Sequence, residues 1–168
     1  SRSRSWTPIP PALEPPTRPA GSVRRVASTR RLLAGSVTRM TSVSLASFDH
    51  LPALAPDEVV TTVTVTDHAL PEGAGTLALL TLDNGQGPRR PATLGPATLL
   101  GLGRVLDEQA ARAAAGEIQA LAVTGVEGTF AAGADLSLIA GLTDDVGRDL
   151  ALLGHAVYDR LAALEIPT

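Results

Sequence analysis

One twelve-residue stretch constrains this chain more than any other part of it: GVEGTFAAGADL, at residues 125–136. An apolar run at 118–123 precedes it and predicts a buried strand, and an apolar, helix-forming segment at 136–142 follows it. A loop that joins a strand to the start of a helix leaves backbone N–H groups without internal acceptors. Around Gly133 the side chains are no larger than methyl, so a ligand oxygen could approach this backbone closely. The stretch therefore predicts a site that stabilises an anion or a carbonyl oxygen.

The charge of the chain changes abruptly near Met40. Residues 1–39 carry eight of the 14 arginines, a cluster of prolines and a single acid, whereas the rest of the chain has six arginines and 16 acids. A segment of that composition buries too little apolar surface to offset its ordering entropy. We therefore predict a disordered Arg/Pro-rich arm at 1–39, a linker at 40–57 and a folded domain at 58–168.

Three interpretations of the arm stay open. Arg-rich, acid-poor composition is typical of an organellar transit peptide, and a basic arm could also contact nucleic acid or anionic lipid. The third interpretation is upstream DNA translated in frame, which we favour because Met40 is the only methionine. We accordingly expect neither a nucleic-acid partner nor a membrane partner.

The composition excludes several kinds of chemistry. The sequence has no cysteine, which rules out disulfides, thiolate catalysis and Cys-ligated metals. No apolar run approaches the roughly 18–20 residues of a membrane span, and we expect a cytoplasmic protein. His50 and His68 lie in linker or turn sequence and His155 lies beside the apolar stripe of a helix, so we predict no metal site and no catalytic histidine.

The remaining patterns predict an α/β fold in the order strand, strand, helix, strand, helix. The predicted strands lie at 59–66, 76–82 and 118–123, and the first helix lies at 97–115. A turn at 71–75 joins the first two strands and predicts an antiparallel pair. Residues 87–96 are too rich in proline to be regular. The last helix follows an N-cap at Thr143 and keeps an unbroken apolar stripe as far as Leu164.

The segment TFAAGADL resembles the F-x-A-G-A-D-[LI] signature of the enoyl-CoA hydratase/isomerase (crotonase) superfamily. The resemblance covers about residues 59–168 and implies the N-terminal half of a crotonase-like ββα spiral fold. It implies that the backbone N–H of Ala134 is one of two oxyanion-hole donors that hold an acyl-CoA thioester and stabilise its enolate. The residues implied to line the CoA channel are Ala132, Gly133, Asp135 and Leu136. Asp135 is also a natural N-cap for the helix that follows it.

A second, partial resemblance concerns residues 90–94, which take the place of the family's R-P-x-x-x-N-x-L loop. It implies that Arg90 and Ala92 border CoA, and Arg89 or Arg90 could pair with its phosphates. The asparagine expected near the helix start is missing, and Gly95-Pro96 stands there instead.

The resemblance implies a lyase or isomerase of fatty-acid β-oxidation-like metabolism, with CoA as part of the substrate, no other cofactor, and a trimer-type homo-oligomer. The family's second oxyanion donor and its catalytic acids come from a later segment that has no counterpart here. We therefore assign no acid or base and expect this chain to be inactive alone. The alternative is a catalytically incompetent remnant with at most a CoA-binding or subunit-association role.

Overall fold

The computed structural model describes residues 43–168 and shows a mixed α/β architecture with two small sheets. The strands are β1 (Thr62–Ala69), β2 (Thr76–Asp83), β3 (Ala92–Leu94), β4 (Ala120–Gly125) and β5 (Ala131–Ala134). The α-helices are α1 (Pro96–Ala114), α2 (Leu136–Ile139) and α3 (Asp144–Ala162), and single 3-10 turns lie at Leu45–Phe48, Leu51–Leu54 and Pro71–Gly73. Within this part of the chain, no helix is both long and apolar enough to cross a bilayer. The predicted arm at 1–39 lies outside the described residues.

The first two strands form the antiparallel pair that the sequence predicts, from Thr62 opposite Asp83 to Ala69 opposite Thr76. β1 begins three residues later than predicted. Its predecessor Thr61 is buried and donates its N–H to the hydroxyl oxygen of Thr98 at 2.9 Å, so its amide bonds to α1 instead of joining the ladder. Helix contact, which the Val/Thr alternation does not reveal, sets the start of this strand.

β4 pairs parallel with β2 and gives the larger sheet the order β1-β2-β4. The strand predicted at 118–123 begins at Ala120, and β4 is only half-buried: Leu121 is its one fully buried residue, while the equally buried Ile118 lies before the strand. The reason is position, because β4 lies at the edge of the sheet. Alternation turns Leu121 and Val123 toward the core cluster and leaves Ala122 and Thr124 on the opposite face.

α1 and α3 pack on one face of this sheet and enclose the core. The core combines the alternate residues of β2 with the apolar stripes of both helices, including Ala78, Leu80, Leu99, Leu106, Leu153 and Val157. Thr143 occupies the predicted N-cap position of α3, but its side chain makes no capping hydrogen bond. The α3 stripe, more than its cap, therefore fixes this helix.

The predicted linker at 40–57 instead contributes to the core from Leu45 onward. Leu45, Phe48 and Leu51 are all buried, and the 3-10 turns that carry them pack against α1 and α3. A Cβ on Gly103 of α1 would lie 2.8 Å from a methyl carbon of Leu45, so the turn packs closely against the helix backbone and a larger residue would displace Leu45. Turns of four residues are too short to show an apolar period, which is why composition alone indicates a linker.

Candidate functional site

The two segments predicted to border CoA are neighbours in the structure. β3 pairs parallel with β5, with Ala92 opposite Ala131 and Leu94 opposite Ala134. The prediction that 87–96 is irregular is therefore wrong for its second half. Ala92–Leu94 follows Pro91, retains all its N–H groups and alternates buried, half-buried, buried, as a short strand does. Segments about 40 residues apart in sequence thus form one two-stranded ladder.

β5 contains a bulge at the point where the signature has its glycine. The register passes from Ala92–Ala131 to Thr93–Gly133 and leaves Ala132 as an extra residue. Gly133 has a φ of 93°, in the left-handed region that favours glycine, and no atom lies within 4 Å of the position that a Cβ would take. The backbone here is open to approach, as the sequence predicts.

The amides of β5 divide between two edges. A strand directs its main-chain groups alternately to either side, so β3 engages alternate residues and the others point away. Among the described residues no strand lies on that second edge of β5. The predicted loop is therefore a short strand, and its second edge is the one on which no described strand occupies the main-chain groups.

The helix predicted at 136–142 is reduced to the single turn of α2. Asp135 caps this turn: a carboxylate oxygen accepts the N–H of Leu138 at 3.3 Å. Leu136 is 77% exposed, whereas Leu138 packs against the core. A single turn has only a weak dipole, so oxygen binding here would depend on individual N–H groups of β5.

The loop between β2 and β3 is fixed by Asn84, whose amide nitrogen donates to the carbonyl oxygens of Arg90 at 3.1 Å and Pro91 at 3.2 Å. The side chains of Arg89 and Arg90 are exposed beyond this clamp, and Arg90 reaches Gln86 at 3.5 Å. The Asp83-Asn84-Gly85 sequence predicts a turn, but it does not predict that the Asn84 side chain holds the loop through these two hydrogen bonds.

Gly125 is required where β4 ends. A Cβ at this position would lie 2.4 Å from the carbonyl oxygen of Thr129 and 2.9 Å from the Cα of Phe130, so the loop folds back directly over the strand. Phe130 is 53% exposed beside it. This glycine thereby sets where the signature segment leaves the sheet.

Glu58, which the sequence does not mark, caps α1 beside β3. Its two carboxylate oxygens accept the N–H groups of Ala97 at 2.8 Å and Thr98 at 2.9 Å. The N-cap position itself is Gly95, where a Cβ would lie 2.4 Å from the Glu58 carboxyl carbon. A carboxylate 39 residues away thus replaces the local cap that an asparagine would supply. No short-range pattern could reveal it.

An open groove of about 610 Å³ lies at the carboxyl ends of the parallel strands β2 and β4. It is lined by Asp83, Gly85, Gly87, Pro88, Val126 and Glu127. Ligands of open α/β sheets bind at such strand ends. None of the predicted site residues lines this groove. Its lining includes two acids, Asp83 and Glu127, which would repel the phosphates of a nucleotide, whereas Arg89 and Arg90, which follow Pro88 in the sequence, would attract them.

A second, apolar cavity lies between the 3-10 turns and the start of α3, with Leu51, Leu138 and Val146 among its lining residues. Its volume is about 10 Å³, which is at the limit for one water molecule. It is a packing gap and offers no room for a ligand.

The remaining polar clusters lie away from this site. Arg112 on α1 donates to Asp67 on β1 at 2.5 Å, and this hydrogen bond holds the pKa of Asp67 below its usual 3.8. His50 lies 3.6 Å from Asp149, and His155 is exposed. Across residues 43–168 no group of His, Asp and Glu side chains could hold a metal ion.

Comparisons of the chain with protein-family models, with curated proteins and with solved structures give no match.

Proposed function

We propose that this chain forms the thioester-binding part of an acyl-CoA hydratase or isomerase of the crotonase type, in fatty-acid β-oxidation-like metabolism. The supporting observation is the β3–β5 ladder, which joins the AAGA segment to the Ala92 segment. The family resemblance implies a CoA-bordering role for each segment, through two separate motifs.

In this proposal the thioester carbonyl oxygen lies against the outer edge of β5 and accepts the N–H of Ala134. Ala132, Gly133, Asp135 and Leu136 border the bound CoA, with Ala92 behind them. Ala132, Ala134 and Leu136 are exposed, and the open space over Gly133 allows a ligand to approach the main chain. Arg90, with Arg89, provides exposed guanidinium groups for the phosphates.

The chemistry follows from where charge develops. When water adds to the β-carbon of an enoyl thioester, an electron pair moves through the double bond to the thioester oxygen and forms an enolate. Protonation at the α-carbon then completes hydration. An N–H near that oxygen stabilises the enolate, and one such donor is typically worth about 10²–10³ in rate. The acid and base are not assigned to residues of this chain.

The alternative is a remnant that binds CoA without turnover. One observation favours it: Asp135, the carboxylate that follows Ala134 in the sequence, is engaged in capping α2. If the chain belongs to an active hydratase or isomerase, we expect that enzyme to be a trimer-type homo-oligomer.

The test is titration of the protein with acetoacetyl-CoA, whose enolate absorbs in the near ultraviolet. We expect enolate absorbance to rise, and Ala134→Pro, which removes the N–H and also fixes the backbone φ at that position, to abolish that rise while circular dichroism shows that the protein stays folded. Arg90→Ala should weaken binding, whereas Arg104→Ala, whose side chain pairs with Asp49, is the matched control.

The same preparation is then assayed with crotonyl-CoA. Binding without hydration agrees with an incomplete site and favours the remnant. Hydration by this chain alone would exclude the remnant, and failure to bind either thioester would contradict both forms of the proposal.

A further inference from the structure

One side chain, Asn84, joins the two ends of the loop between β2 and β3. Its Oδ1 accepts the N–H of Gln86 at 3.0 Å, and its Nδ2 donates to the carbonyl oxygens of Arg90 at 3.1 Å and Pro91 at 3.2 Å. An asparagine side chain has two N–H donors and one carbonyl acceptor, and these bonds use all of them on the main chain. The residue directly after β2 therefore holds the backbone that carries Arg90.

Two further bonds close this loop. The N–H of Arg90 donates to the carbonyl oxygen of Gly87 at 3.2 Å, and the N–H of Gly85 donates to the carboxylate of Asp83 at 2.8 Å. A backbone that is ordered before a ligand arrives does not add its ordering entropy to the cost of binding. The loop thus presents its arginines from a preorganised backbone.

Arg90 keeps its charge available for a ligand. Its guanidinium donates to Oε1 of Gln86, a neutral amide, at 3.5 Å. Arg104, Arg112 and Arg160 instead donate to carboxylates, which compensate their charge. A neutral partner directs a guanidinium without compensating its charge, and a guanidinium binds phosphate oxygens in a planar, bidentate geometry.

The two ends of the loop differ in charge. The exposed Arg89 and Arg90 lie near its end, whereas Asp83, at its start, lines the groove together with Glu127. A phosphate is attracted to the first end and repelled from the second. A CoA thioester matches this difference, because its phosphates lie at the nucleotide end and its pantetheine arm is uncharged.

We propose that Asn84 is a positioning residue for the phosphates of CoA. By fixing the carbonyl groups of Arg90 and Pro91, it holds the Arg90 guanidinium, with Arg89 beside it, where the phosphates of the thioester bind. The site therefore selects thioesters of CoA over thioesters of pantetheine, which has the same thiol arm without these phosphates. This inference rests on the proposed function, since it takes a CoA thioester as the ligand.

The test compares the affinities of the full chain for acetoacetyl-CoA and acetoacetyl-pantetheine by titration calorimetry. We expect the unaltered chain to bind the CoA thioester at least about tenfold more tightly. Asn84→Ala should weaken acetoacetyl-CoA binding about tenfold, the scale of one hydrogen bond to a charged group, and should leave acetoacetyl-pantetheine binding unchanged. The matched control is Thr62→Val, which removes a hydroxyl bond to the neighbouring carbonyl of Asp83. It should change neither affinity.

A second variant, Gln86→Glu, keeps the bonds of the Asn84 side chain and places a carboxylate beside the Arg90 guanidinium. It should also weaken binding of the CoA thioester alone, while circular dichroism shows that each variant stays folded. Equal weakening of both thioesters by Asn84→Ala would overturn the inference, because Asn84 would then only support the fold. Equal affinity of the unaltered chain for the two thioesters would overturn it and leave the proposed function standing. Binding of neither thioester would contradict the proposed function and this inference with it.

Discussion

The two sheets of this molecule are stabilised in different ways. The larger sheet packs β2 against α1 and α3, with Leu80 and Leu153 fully buried. The β3–β5 ladder has three residue pairs, one bulge and the exposed side chains of Phe130 and Leu136 beside it. The larger sheet is stabilised mainly by apolar burial, whereas the small ladder contributes Leu94 to the core through β3 and has a bulged, largely uncovered partner strand in β5. We therefore expect substitutions in the two regions to differ in how much they destabilise the protein and in how far from the substituted residue the effect extends.

The largest effect is expected from Leu153→Ala in α3. Leu153 is fully buried, and truncation of such a leucine costs about 2–5 kcal/mol because it removes apolar burial and leaves a cavity. Leu152→Ala, next to it but 49% exposed, is the control. The free energy of unfolding, measured by urea denaturation, should fall strongly in the Leu153→Ala variant and little in the Leu152→Ala variant. Equal losses would show that α3 does not pack as described.

A matched glycine pair in α1 tests the close packing of the 3-10 turns. Gly103→Ala places a methyl against Leu45 and Val157 and should destabilise by about 1–3 kcal/mol, since overpacking strains a filled core. Gly101→Ala meets nothing within 4 Å and should stabilise by up to about 1 kcal/mol through helix propensity. Thermal unfolding midpoints should therefore move in opposite directions. Midpoints that both rise would show that residues 45–48 are not packed on α1.

In the small ladder, Gly133→Ala should cost about 1–2 kcal/mol, because a Cβ is unfavourable at a positive φ even where space is free. We expect hydrogen exchange to quicken at β3 and β5 and to stay unchanged at β2. The control variant is Ala132→Gly, which changes the neighbouring residue of the same bulge, and its hydrogen exchange is compared with that of Gly133→Ala. Equal quickening at β2 would show that the ladder and the larger sheet unfold as one unit.

The smallest effect is expected from Asp67→Asn, on the exposed edge strand β1. The hydrogen bond from Arg112 lowers the pKa of Asp67 below 3.8, so the ionised form stabilises the fold above that pH. This stabilisation is lost as the pH falls through the lowered pKa. The two proteins should differ slightly in unfolding midpoint at pH 6 and converge in strong acid. A difference that grows in acid would contradict the assignment.

Sequence reasoning succeeded where a period or a turn signal exists and failed where distant contacts decide. The β1–β2 pair, the α3 stripe and the glycine at 133 follow from short-range patterns. The β3 strand did not, since three residues beside Pro91 are too few to show alternation. The core role of Leu45 and Phe48 and the capping by Glu58 depend on partners far away in the sequence.

For the candidate site, the motif predicted the small residues and the open backbone but not their neighbours. The pairing of Gly133 with Thr93 and the clamp formed by Asn84 require the fold. The groove at the ends of β2 and β4 was also not predicted, because it forms between two loops that no local pattern connects.

The capping of α1 by Glu58 makes two distant positions interdependent in evolution. A side chain at Gly95 would displace the carboxyl group of Glu58 from the helix N-terminus, and the loss of Glu58 is compensated only once position 95 can cap the helix itself. Either single change, Gly95→Asn or Glu58→Ala, should therefore be harmful, whereas the double variant moves the cap into the local sequence. Related chains should exchange the two residues together.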